Sequence, residues 1–272
     1  MITFPNAKIN IGLRITGNRQ DGYHDIETIF YPVGLSDGLE FVISDQKAHK
    51  DILNVTGINT GTDPDDNLVI KTIKKLHERN AFPFLKIHLH KVIPVGAGLG
   101  GGSSDAACLL KTINRCFGLG ITDNKLKSLA LELGSDCPFF IDCTPSFASG
   151  RGEVLTPVKP VLNGYYLVII NPGVGINTTE AYQNCRTGLP SISLAQLIDY
   201  PVIEWKEKII NDFEEFAFKK HSVIGKIKEG LYRSDALFSL MSGSGSSVYG
   251  IFSEKPKLPQ KLKDLVIWEG GI

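Results

Sequence analysis

The 272-residue chain has no excess of charge of either sign, because its 29 basic and 29 acidic side chains cancel. It has no block of about five or six like charges, so a basic surface for nucleic acid or an anionic membrane is not expected. Its longest apolar run, around Tyr165–Ile170, has about six residues and is far too short to span a bilayer. These absences favour a globular protein that binds neither nucleic acid nor membrane.

Disulfide pairing and targeting signals are also missing from the sequence. The five cysteines contain no C-x-x-C pair, and their odd number does not suggest a disulfide framework. The N-terminus shows no basic stretch followed by an apolar segment and a cleavage site. We therefore expect free thiols and a cytoplasmic location. The length allows one or two domains with a core that needs no disulfide or metal.

Hydrophobic periodicity predicts a mixed protein in its first half. Residues 8–15 alternate between apolar and polar side chains, which predicts a half-buried strand. Further strands are predicted at 26–33, 39–43 and 85–89, and helices at 67–80, 103–117 and 126–133. The polar segment 47–66 is predicted to be turn-rich, with Asp65 and Asp66 as caps of the first helix.

The pattern changes beyond about residue 150. A strand at 165–170 precedes helices near 194–198, 205–218 and 223–232, then strands at 237–241 and 247–252 and a final helix and strand. This order is similar to the split β-α-β-β-α-β plan of ferredoxin-like domains. We therefore predict an α+β protein of two lobes, residues 1–152 and 153–272.

A glycine-rich segment is the strongest chemical signal in the sequence. It runs Pro94-Val-Gly-Ala-Gly-Leu-Gly-Gly-Gly-Ser-Ser104, and five of the seven positions from Gly96 to Gly102 are glycine. A backbone without Cβ atoms can bring its N–H groups close to an anion, and the helix that follows points its unpaired N–H groups to the same place. The segment therefore predicts phosphate binding, although glycine-rich turns also allow tight packing of a strand on a helix.

The segment departs from two common phosphate-binding patterns. No lysine follows the last glycine, so the P-loop pattern is absent. Gly96, Gly98 and Gly101 have the spacing of the dinucleotide fingerprint of NAD-dependent oxidoreductases. That fingerprint needs a strand ending in an acidic residue about 20 positions later, whereas Asp123 is predicted to open another helix. Hydride transfer is therefore a minor alternative.

Two charged residues are candidates for phosphoryl-transfer chemistry. Lys8 lies with Asn10 on the polar side of the first strand, and Asp136 lies in a turn after an apolar helix. Alone, Lys8 and Asn10 are typical of a solvated face, and Asp136 of a cap, an Asx turn or a buried acid. Transfer to a hydroxyl uses a carboxylate that takes or orients the proton and a cation that stabilises developing charge. Lys8 and Asp136 are the residues that could provide them.

Two further segments allow a plain structural interpretation and a functional one. The second glycine cluster, Ser242-Gly-Ser-Gly-Ser246, is typical of a flexible hairpin loop but could close on the same substrate as the first. The turn Asp21-Gly-Tyr-His24 is typical of a β-turn with a packed tyrosine but could also bind a ligand through its rings.

Together these segments resemble the GHMP kinases, the superfamily of galactokinase, homoserine, mevalonate and phosphomevalonate kinases. The resemblance covers nearly the whole chain in order. It is carried by the segments 6–13, 21–24, 66–68, 94–107, 133–140, 150–153, 172–174, 179–182, 211–214 and 241–246. The long GLGGGSSDAA form of the glycine loop and the DGYH turn are the most specific of these, because other members usually carry a shorter GLGSS loop.

The resemblance implies a two-lobed fold, with a ribosomal-protein-S5-like N-terminal domain and a ferredoxin-like C-terminal domain. It also implies transfer of phosphate from ATP to the 2-hydroxyl of a methylerythritol unit linked to cytidine diphosphate, in isoprenoid precursor synthesis. Mg²⁺ is expected with ATP, but the sequence does not identify its ligands, although Ser104 is one possibility. Another small-molecule kinase of the family, or a binding module without catalysis, is the alternative.

The resemblance further implies roles for individual residues. Asp136 matches the catalytic base, and Lys8 matches the cation that stabilises the ionised base or the developing alkoxide. Residues matching the surroundings of ATP are Pro94, Val95, Gly96, Ala97, Gly98, Leu99, Gly100, Gly101, Gly102, Ser103 and Ser104, with Lys91 and Asn67 near the nucleoside. Residues matching the substrate site are Asn10, Tyr23, His24 and Tyr182, of which Tyr23 would stack on cytosine, His24 would hydrogen-bond it and Tyr182 would lie on its opposite face. A monomer or homodimer is expected.

Overall fold

The computed structural model describes residues 1–45, 49–59, 61, 63–185 and 187–272. Its strands are β1 (Ile2–Thr3), β2 (Asn6–Asn18), β3 (His24–Ser36), β4 (Gly38–Ile43), β5 (Ile52–Gly57), β6 (Leu85–Lys91), β7 (Ser146–Ser149), β8 (Val154–Pro157), β9 (Tyr166–Ile170), β10 (Phe238–Met241), β11 (Val248–Phe252) and β12 (Val266–Gly271). Its α-helices are α1 (Leu68–His77), α2 (Gly101–Cys116), α3 (Asp123–Leu131), α4 (Phe139–Asp142), α5 (Thr178–Gln183), α6 (Leu194–Leu197), α7 (Glu214–Lys220), α8 (Ser222–Tyr232) and α9 (Gln260–Lys263). Short 3-10 helices cover Pro64–Asp66 and Val202–Glu207.

The backbone contacts divide the chain into two units, each built from separated segments. The first comprises Met1–Ala7, Leu35–Val95 and Gly100–Thr144, and the second comprises Lys8–Gly34, Gly96–Leu99 and Pro145–Ile272. The predicted sequence domains, 1–152 and 153–272, are continuous along the chain, and that boundary stays a prediction.

The first unit contains a four-stranded sheet and the helices of the glycine-rich region. The strand order is β1-β4-β6-β5, with β5 parallel to β6 and the other pairs antiparallel. Helix α2 contacts α1, α3 and α4. It turns Leu109, Leu110 and Ile113 inward, as the predicted apolar stripe requires. The helix begins at Gly101, close to the position predicted from the sequence.

Two expectations for this unit are wrong. The side chain of Asn67 caps α1 by accepting from the Val69 N–H at 2.9 Å, whereas Asp65 and Asp66 belong to the preceding 3-10 helix. The segment 47–66, expected to be turn-rich, contains the edge strand β5, whose residues are mostly exposed, and its positions 47, 48, 60 and 62 lie outside the described residues. Its polar composition follows from that exposure, because an edge strand with little buried surface needs few apolar side chains.

The second unit contains the ferredoxin-like sheet predicted from the element order. Its strands are all antiparallel and lie in the order β10-β11-β9-β12, with the helices placed between β9 and β10 and between β11 and β12. This confirms the split β-α-β-β-α-β plan. The remaining sheet has the order β2-β3-β7-β8, and the mixed helix and sheet content confirms the α+β class.

The single helix predicted at 205–218 is wrong, because the chain between the Val202–Glu207 3-10 helix and α7 is not helical. In that stretch the Leu13 N–H donates to the Ile210 carbonyl at 2.9 Å, and the Asp212 N–H donates to the Leu13 carbonyl at 2.9 Å. Backbone bonding to β2 therefore replaces the helical hydrogen bonds that the apolar pattern suggested.

Strand β2 is buried on both faces rather than on one. Lys8 is 3% exposed and Asn10 is 1% exposed, so the solvated-face interpretation of these two residues is wrong. A buried ammonium and a buried amide must be paired within the protein, because each loses its hydration. Their partners define the candidate site.

Candidate active site

The glycine-rich segment after β6 has the backbone conformation that its composition predicts. Gly96, Gly98 and Gly100 have φ values of 63°, 78° and 71°, in the left-handed region where residues with a Cβ atom are strained. Gly100 is the N-cap of α2 and forms no side-chain cap. The first N–H groups of α2 therefore lack the side-chain oxygen that usually satisfies one of them, which suits a helix end that meets an anion.

Within the second unit, the segment Gly96–Leu99 is hydrogen-bonded to Lys8 of β2. The Lys8 N–H donates to the Leu99 carbonyl at 3.0 Å, and Lys8 Nζ donates to the Gly98 carbonyl at 3.2 Å. The Lys8 ammonium also lies 4.9 Å from the centroid of the Phe30 ring. Both the backbone and the side chain of the candidate cation thus contact the candidate phosphate loop.

The second glycine cluster also forms hydrogen bonds to this segment. Ser242 Oγ donates to the Gly98 carbonyl at 2.8 Å, and the Ser247 N–H donates to the Ala97 carbonyl at 3.2 Å. A Cβ atom on Gly98 would lie 1.9 Å from the Ser242 carbonyl oxygen, so glycine is required there by space as well as by φ. The cluster does connect β10 and β11 as a hairpin, and these contacts favour its functional interpretation over that of a flexible loop.

A buried chain of hydrogen bonds orients Asn10 and, through it, Lys8. Thr28 Oγ1 donates to the Gly12 carbonyl at 2.5 Å and accepts from Asn10 Nδ2 at 2.9 Å. Asn10 Oδ1 then accepts from Lys8 Nζ at 2.5 Å. The Asn10 amide, predicted to contact the substrate, is engaged on both its nitrogen and its oxygen. Its oxygen position, and with it the position of the ammonium, depends on Thr28.

Thr28 is a functional candidate that sequence reasoning missed. It lies on β3 with no exposed surface, inside a strand that reads as ordinary apolar alternation. No local motif marks it, because its partners on β2 lie 16 and 18 residues away in sequence. Only the neighbouring position of β2 and β3 in the sheet brings them together.

We predict that Thr28→Val lowers kcat about 10-fold to 100-fold, because the unsupported Asn10 amide lets the Lys8 ammonium shift. Thr28→Ser keeps the hydroxyl and should retain near-normal kcat. Steady-state kinetics of both variants test this, together with thermal unfolding. Equal kcat values for the valine and serine variants would remove Thr28 from the orienting chain.

In the first unit, Asp136 lies in the turn between α3 and α4 and is half-buried. The neighbouring Cys137 is fully buried, and burial raises the pKa of its thiol to about 11. Cys185 in the second unit is likewise shifted by burial, which raises its pKa to about 12. These thiols stay protonated near neutral pH, so neither is a ready nucleophile. The role of Asp136 as a proton acceptor stays a prediction.

Lys91, predicted near the nucleoside, lies at the end of β6 with its ammonium buried between two carboxylates. Its Nζ hydrogen-bonds Asp37 and lies 2.8 Å from Asp105 Oδ2. The predicted place of Lys91 near the nucleoside stays a prediction.

The rings predicted to bind the substrate lie in the second unit. His24 stacks on Tyr182 with ring centroids 4.6 Å apart and planes 18° apart, and Tyr182 meets Phe213 edge-on at 4.9 Å. Tyr23 is 53% exposed, and the Arg151 guanidinium lies 4.5 Å from its ring centroid. Arg151 is a neighbour of these rings that the sequence did not single out, and the predicted placement of Tyr23, His24 and Tyr182 around a cytosine stays a prediction.

Metal ligands are not evident among the residues described. Within those ranges, no group of three or more histidine, cysteine, aspartate or glutamate side chains is arranged to hold a metal ion. Ser104, the possible ligand named from the sequence, is buried in the first turns of α2.

Among the residues that the structure describes, no helix combines the length and apolar character needed to cross a lipid bilayer.

Comparison with protein families adds an independent finding. The model of the GHMP kinases N terminal domain matches residues 67–144, and the model of the GHMP kinases C terminal matches residues 199–265. The first match contains the glycine-rich segment and Asp136, and the second contains Ser242 of the second glycine cluster.

Curated relatives match over the whole chain. A 4-diphosphocytidyl-2-C-methyl-D-erythritol kinase of Parabacteroides distasonis is 49% identical, with 100% of each chain covered. A kinase of the same name from Cytophaga hutchinsonii is 40% identical, with 94% of each chain covered.

Solved structures agree. A crystal structure of 4-(cytidine 5'-diphospho)-2C-methyl-D-erythritol kinase superposes with a TM-score of 0.81 at 28% identity, covering 99% of this chain and 98% of that one. A Streptococcus pneumoniae phosphomevalonate kinase superposes with a TM-score of 0.64 at 14% identity, covering 100% of each chain, which shows the shared fold alone. The dinucleotide-binding alternative finds no support in these matches. With both family domains and full-length relatives in agreement, the chain belongs to the GHMP kinases and is an ATP-dependent small-molecule kinase.

Proposed function

We propose that this kinase transfers the γ-phosphoryl group of ATP to the 2-hydroxyl of 4-diphosphocytidyl-2-C-methyl-D-erythritol, a step in isoprenoid precursor synthesis. The observation that carries the proposal is the 49% identity, over the full length of both chains, to a kinase named for that substrate. The Asp21–His24 turn supports the same acceptor, because the exposed ring of Tyr23 could stack on a base. A cytoplasmic location and a monomer or homodimer remain predictions that accompany this function.

ATP would be held by the segment from Pro94 to Ser104. Two observations support the fit: Gly96, Gly98 and Gly100 have left-handed backbones, and α2 starts without a side-chain cap. Both favour N–H groups directed at phosphate oxygens. Asn67 and the backbone of Lys91 are the proposed neighbours of the nucleoside.

Mg²⁺ would accompany ATP and neutralise charge on its phosphate oxygens. Magnesium usually keeps several waters and takes one or two protein ligands, so an ATP-bound ion does not need a cluster of carboxylates. Ser104 is the proposed hydroxyl ligand.

Asp136 is the proposed general base, which accepts the proton of the reacting hydroxyl. Lys8 is the proposed cation, which stabilises the negative charge that develops on that oxygen. The contacts of Lys8 with Asn10 Oδ1 and the Gly98 carbonyl support this role, because a preorganised ammonium does not have to reorient during the reaction.

Tyr23, His24, Tyr182 and Asn10 are the proposed substrate residues. With one ring face of Tyr23 occupied by Arg151, the opposite face is the one proposed to stack on cytosine. His24 is the proposed hydrogen-bonding partner of the base, with Tyr182 behind it. The Asn10 amide, which Thr28 and Lys8 already engage, would act on the substrate chiefly by fixing Lys8.

An acceptor panel tests the function directly. The protein is incubated with ATP and Mg²⁺ and with either the CDP-linked methylerythritol, mevalonate or homoserine, and ADP release is followed. Turnover only with the CDP-linked alcohol supports the proposal. Turnover with mevalonate or homoserine, but not with the CDP-linked alcohol, contradicts it, and nucleotide binding without turnover points to a binding module.

The proposed cytosine contact has its own test. Tyr23→Ala should weaken binding of the CDP-linked substrate by about 1–3 kcal/mol, the usual value of base stacking on an aromatic ring. Tyr23→Phe keeps the ring and should bind within about twofold of wild type. Calorimetric titration with the substrate or with CDP measures both. An alanine variant with unchanged affinity would place Tyr23 outside the site.

A further inference from the structure

A buried ionic cluster in the first unit joins residues on either side of the glycine-rich segment. Lys91 is the last residue of β6, Asp37 lies between β3 and β4, and Asp105 lies on α2. Their side chains are 2%, 0% and 3% exposed. Lys91 Nζ hydrogen-bonds Asp37 Oδ2 and donates to Asp105 Oδ2 at 2.8 Å.

The same cluster fixes the backbone that enters the glycine-rich segment. Asp37 Oδ1 accepts from the Val92 N–H at 2.5 Å and from the Ile93 N–H at 2.8 Å. These are the two residues between β6 and Pro94, and neither bond belongs to a sheet ladder. The direction in which the chain leaves β6 is therefore set by a carboxylate that Lys91 holds in place.

The backbone that leaves the segment is packed against the same group. A Cβ atom on Gly101 would lie 2.9 Å from Ile93 Cγ2 and 3.2 Å from Lys91 Nζ. Asp105 is one helical turn further along α2 and is ion-paired to Lys91. Residues 91–93 and 101–105 thus form one packed group, and the intervening residues have both of their ends fixed by it.

The charged side chains of this cluster do not by themselves explain why it would be kept for stability. Two carboxylates share one ammonium, and among the residues that the structure describes Asp105 Oδ1 is buried with no hydrogen-bond partner. Burial and the neighbouring Asp37 charge outweigh the attraction of Lys91 and raise the pKa of Asp105 to about 7. A buried arrangement of this kind adds little stability, so its hydrogen bonds to the backbone at Val92 and Ile93 point to a positional role.

We propose that Lys91 is a positioning residue that acts through Asp37 and Asp105 to hold both ends of the phosphate-binding segment, and that its ammonium does not touch the nucleotide. The proposal rests on the proposed phosphate-binding role of this segment. It assigns to the same task Asp37, which no sequence motif marked, and Asp105, for which the glycine-loop motif suggested no role.

A rescue experiment separates positioning from direct contact. Lys91→Met removes the ammonium and should weaken ADP binding, measured by calorimetry with excess Mg²⁺, about tenfold or more. Adding Asp105→Asn supplies an amide that can donate to Asp37 in place of the ammonium. The double variant should recover ADP affinity to within about threefold of wild type. A double variant that unfolds like wild type but still binds ADP as weakly as Lys91→Met would show direct contact and overturn the proposal.

Two further measurements complete the test. The single variant Asp105→Asn keeps Lys91 and should weaken ADP binding severalfold, while the KM for the CDP-linked substrate stays within about twofold of wild type. An unchanged ADP affinity of this variant would overturn the proposal, and this holds even if Lys91→Met fails to fold. Lys71→Met, which breaks the exposed pair with Asp66, is the matched control and should leave ADP binding unchanged. If the wild-type protein binds ADP but does not phosphorylate the CDP-linked alcohol, the proposed function fails, while the ADP affinities still decide this proposal.

Discussion

Replacing Asp136 with asparagine is expected to lower kcat by about 10²-fold to 10⁴-fold, the usual contribution of a positioned proton acceptor. Asparagine has nearly the same size and keeps one hydrogen-bonding oxygen, but it cannot take a proton at neutral pH. The half-buried turn that carries Asp136 should keep its conformation. Affinity for ADP should therefore stay within about twofold of wild type, because only the proton acceptor is lost.

The measurement is steady-state kinetics with ATP and the CDP-linked alcohol, beside calorimetric titration with ADP. Asp142→Asn is the matched control, because Asp142 lies nearby on α4 and is exposed in an ion pair with Lys127. That surface pair contributes little, so the control should retain its activity and its stability. An Asp136→Asn variant as active as the control would show that Asp136 is a cap or turn residue.

The fold was largely predictable because most of its elements carry their own signal. The apolar stripe of α2 and the strand-helix order that ends in β12 need no knowledge of distant contacts. The errors lie where tertiary contacts dominate: β5 is an exposed edge strand, and the chain near Ile210 bonds to Leu13 instead of forming helix. No local pattern contains that information.

The candidate site was also predictable only in part. Its glycine-rich segment was evident from composition, and the family resemblance supplied Lys8 and Asp136. Thr28 and the Asp37 carboxylate were missed, since each acts on residues between 16 and 56 positions away, within segments that look ordinary. Asp105 lies inside the glycine-loop motif, but its ion pair with Lys91, 14 positions away, was not predicted. The burial of both faces of β2 was missed because the alternation of apolar and polar residues shows only the chemical type of each side chain and not its exposure. A lysine that is paired within the protein can be buried as fully as an isoleucine.

Lys8→Met should lower kcat by about 10²-fold to 10³-fold, as expected when a preorganised charge at a developing oxyanion is removed. The side chain is 3% exposed, so methionine can occupy a similar volume without filling a hydrated site. Lys86→Met is the matched control, because Lys86 lies on β6 in an exposed pair with Asp45 and should be neutral to activity. Comparable kcat values for the two variants would contradict a role for Lys8 in the reaction.

The Lys8 result also decides how Thr28 acts. If Thr28 acts on the reaction only through Asn10 and the ammonium, Thr28→Val should cost kcat nothing further in a Lys8→Met background. The hydrogen-bond chain makes that non-additivity the expected outcome, because Asn10 Oδ1 accepts from Lys8 Nζ while Asn10 Nδ2 donates to Thr28. Additive losses would mean that Thr28 supports the site by another route, such as the position of β2 against β3. A full double-mutant cycle on kcat, with unfolding free energies measured for all four proteins, separates these outcomes.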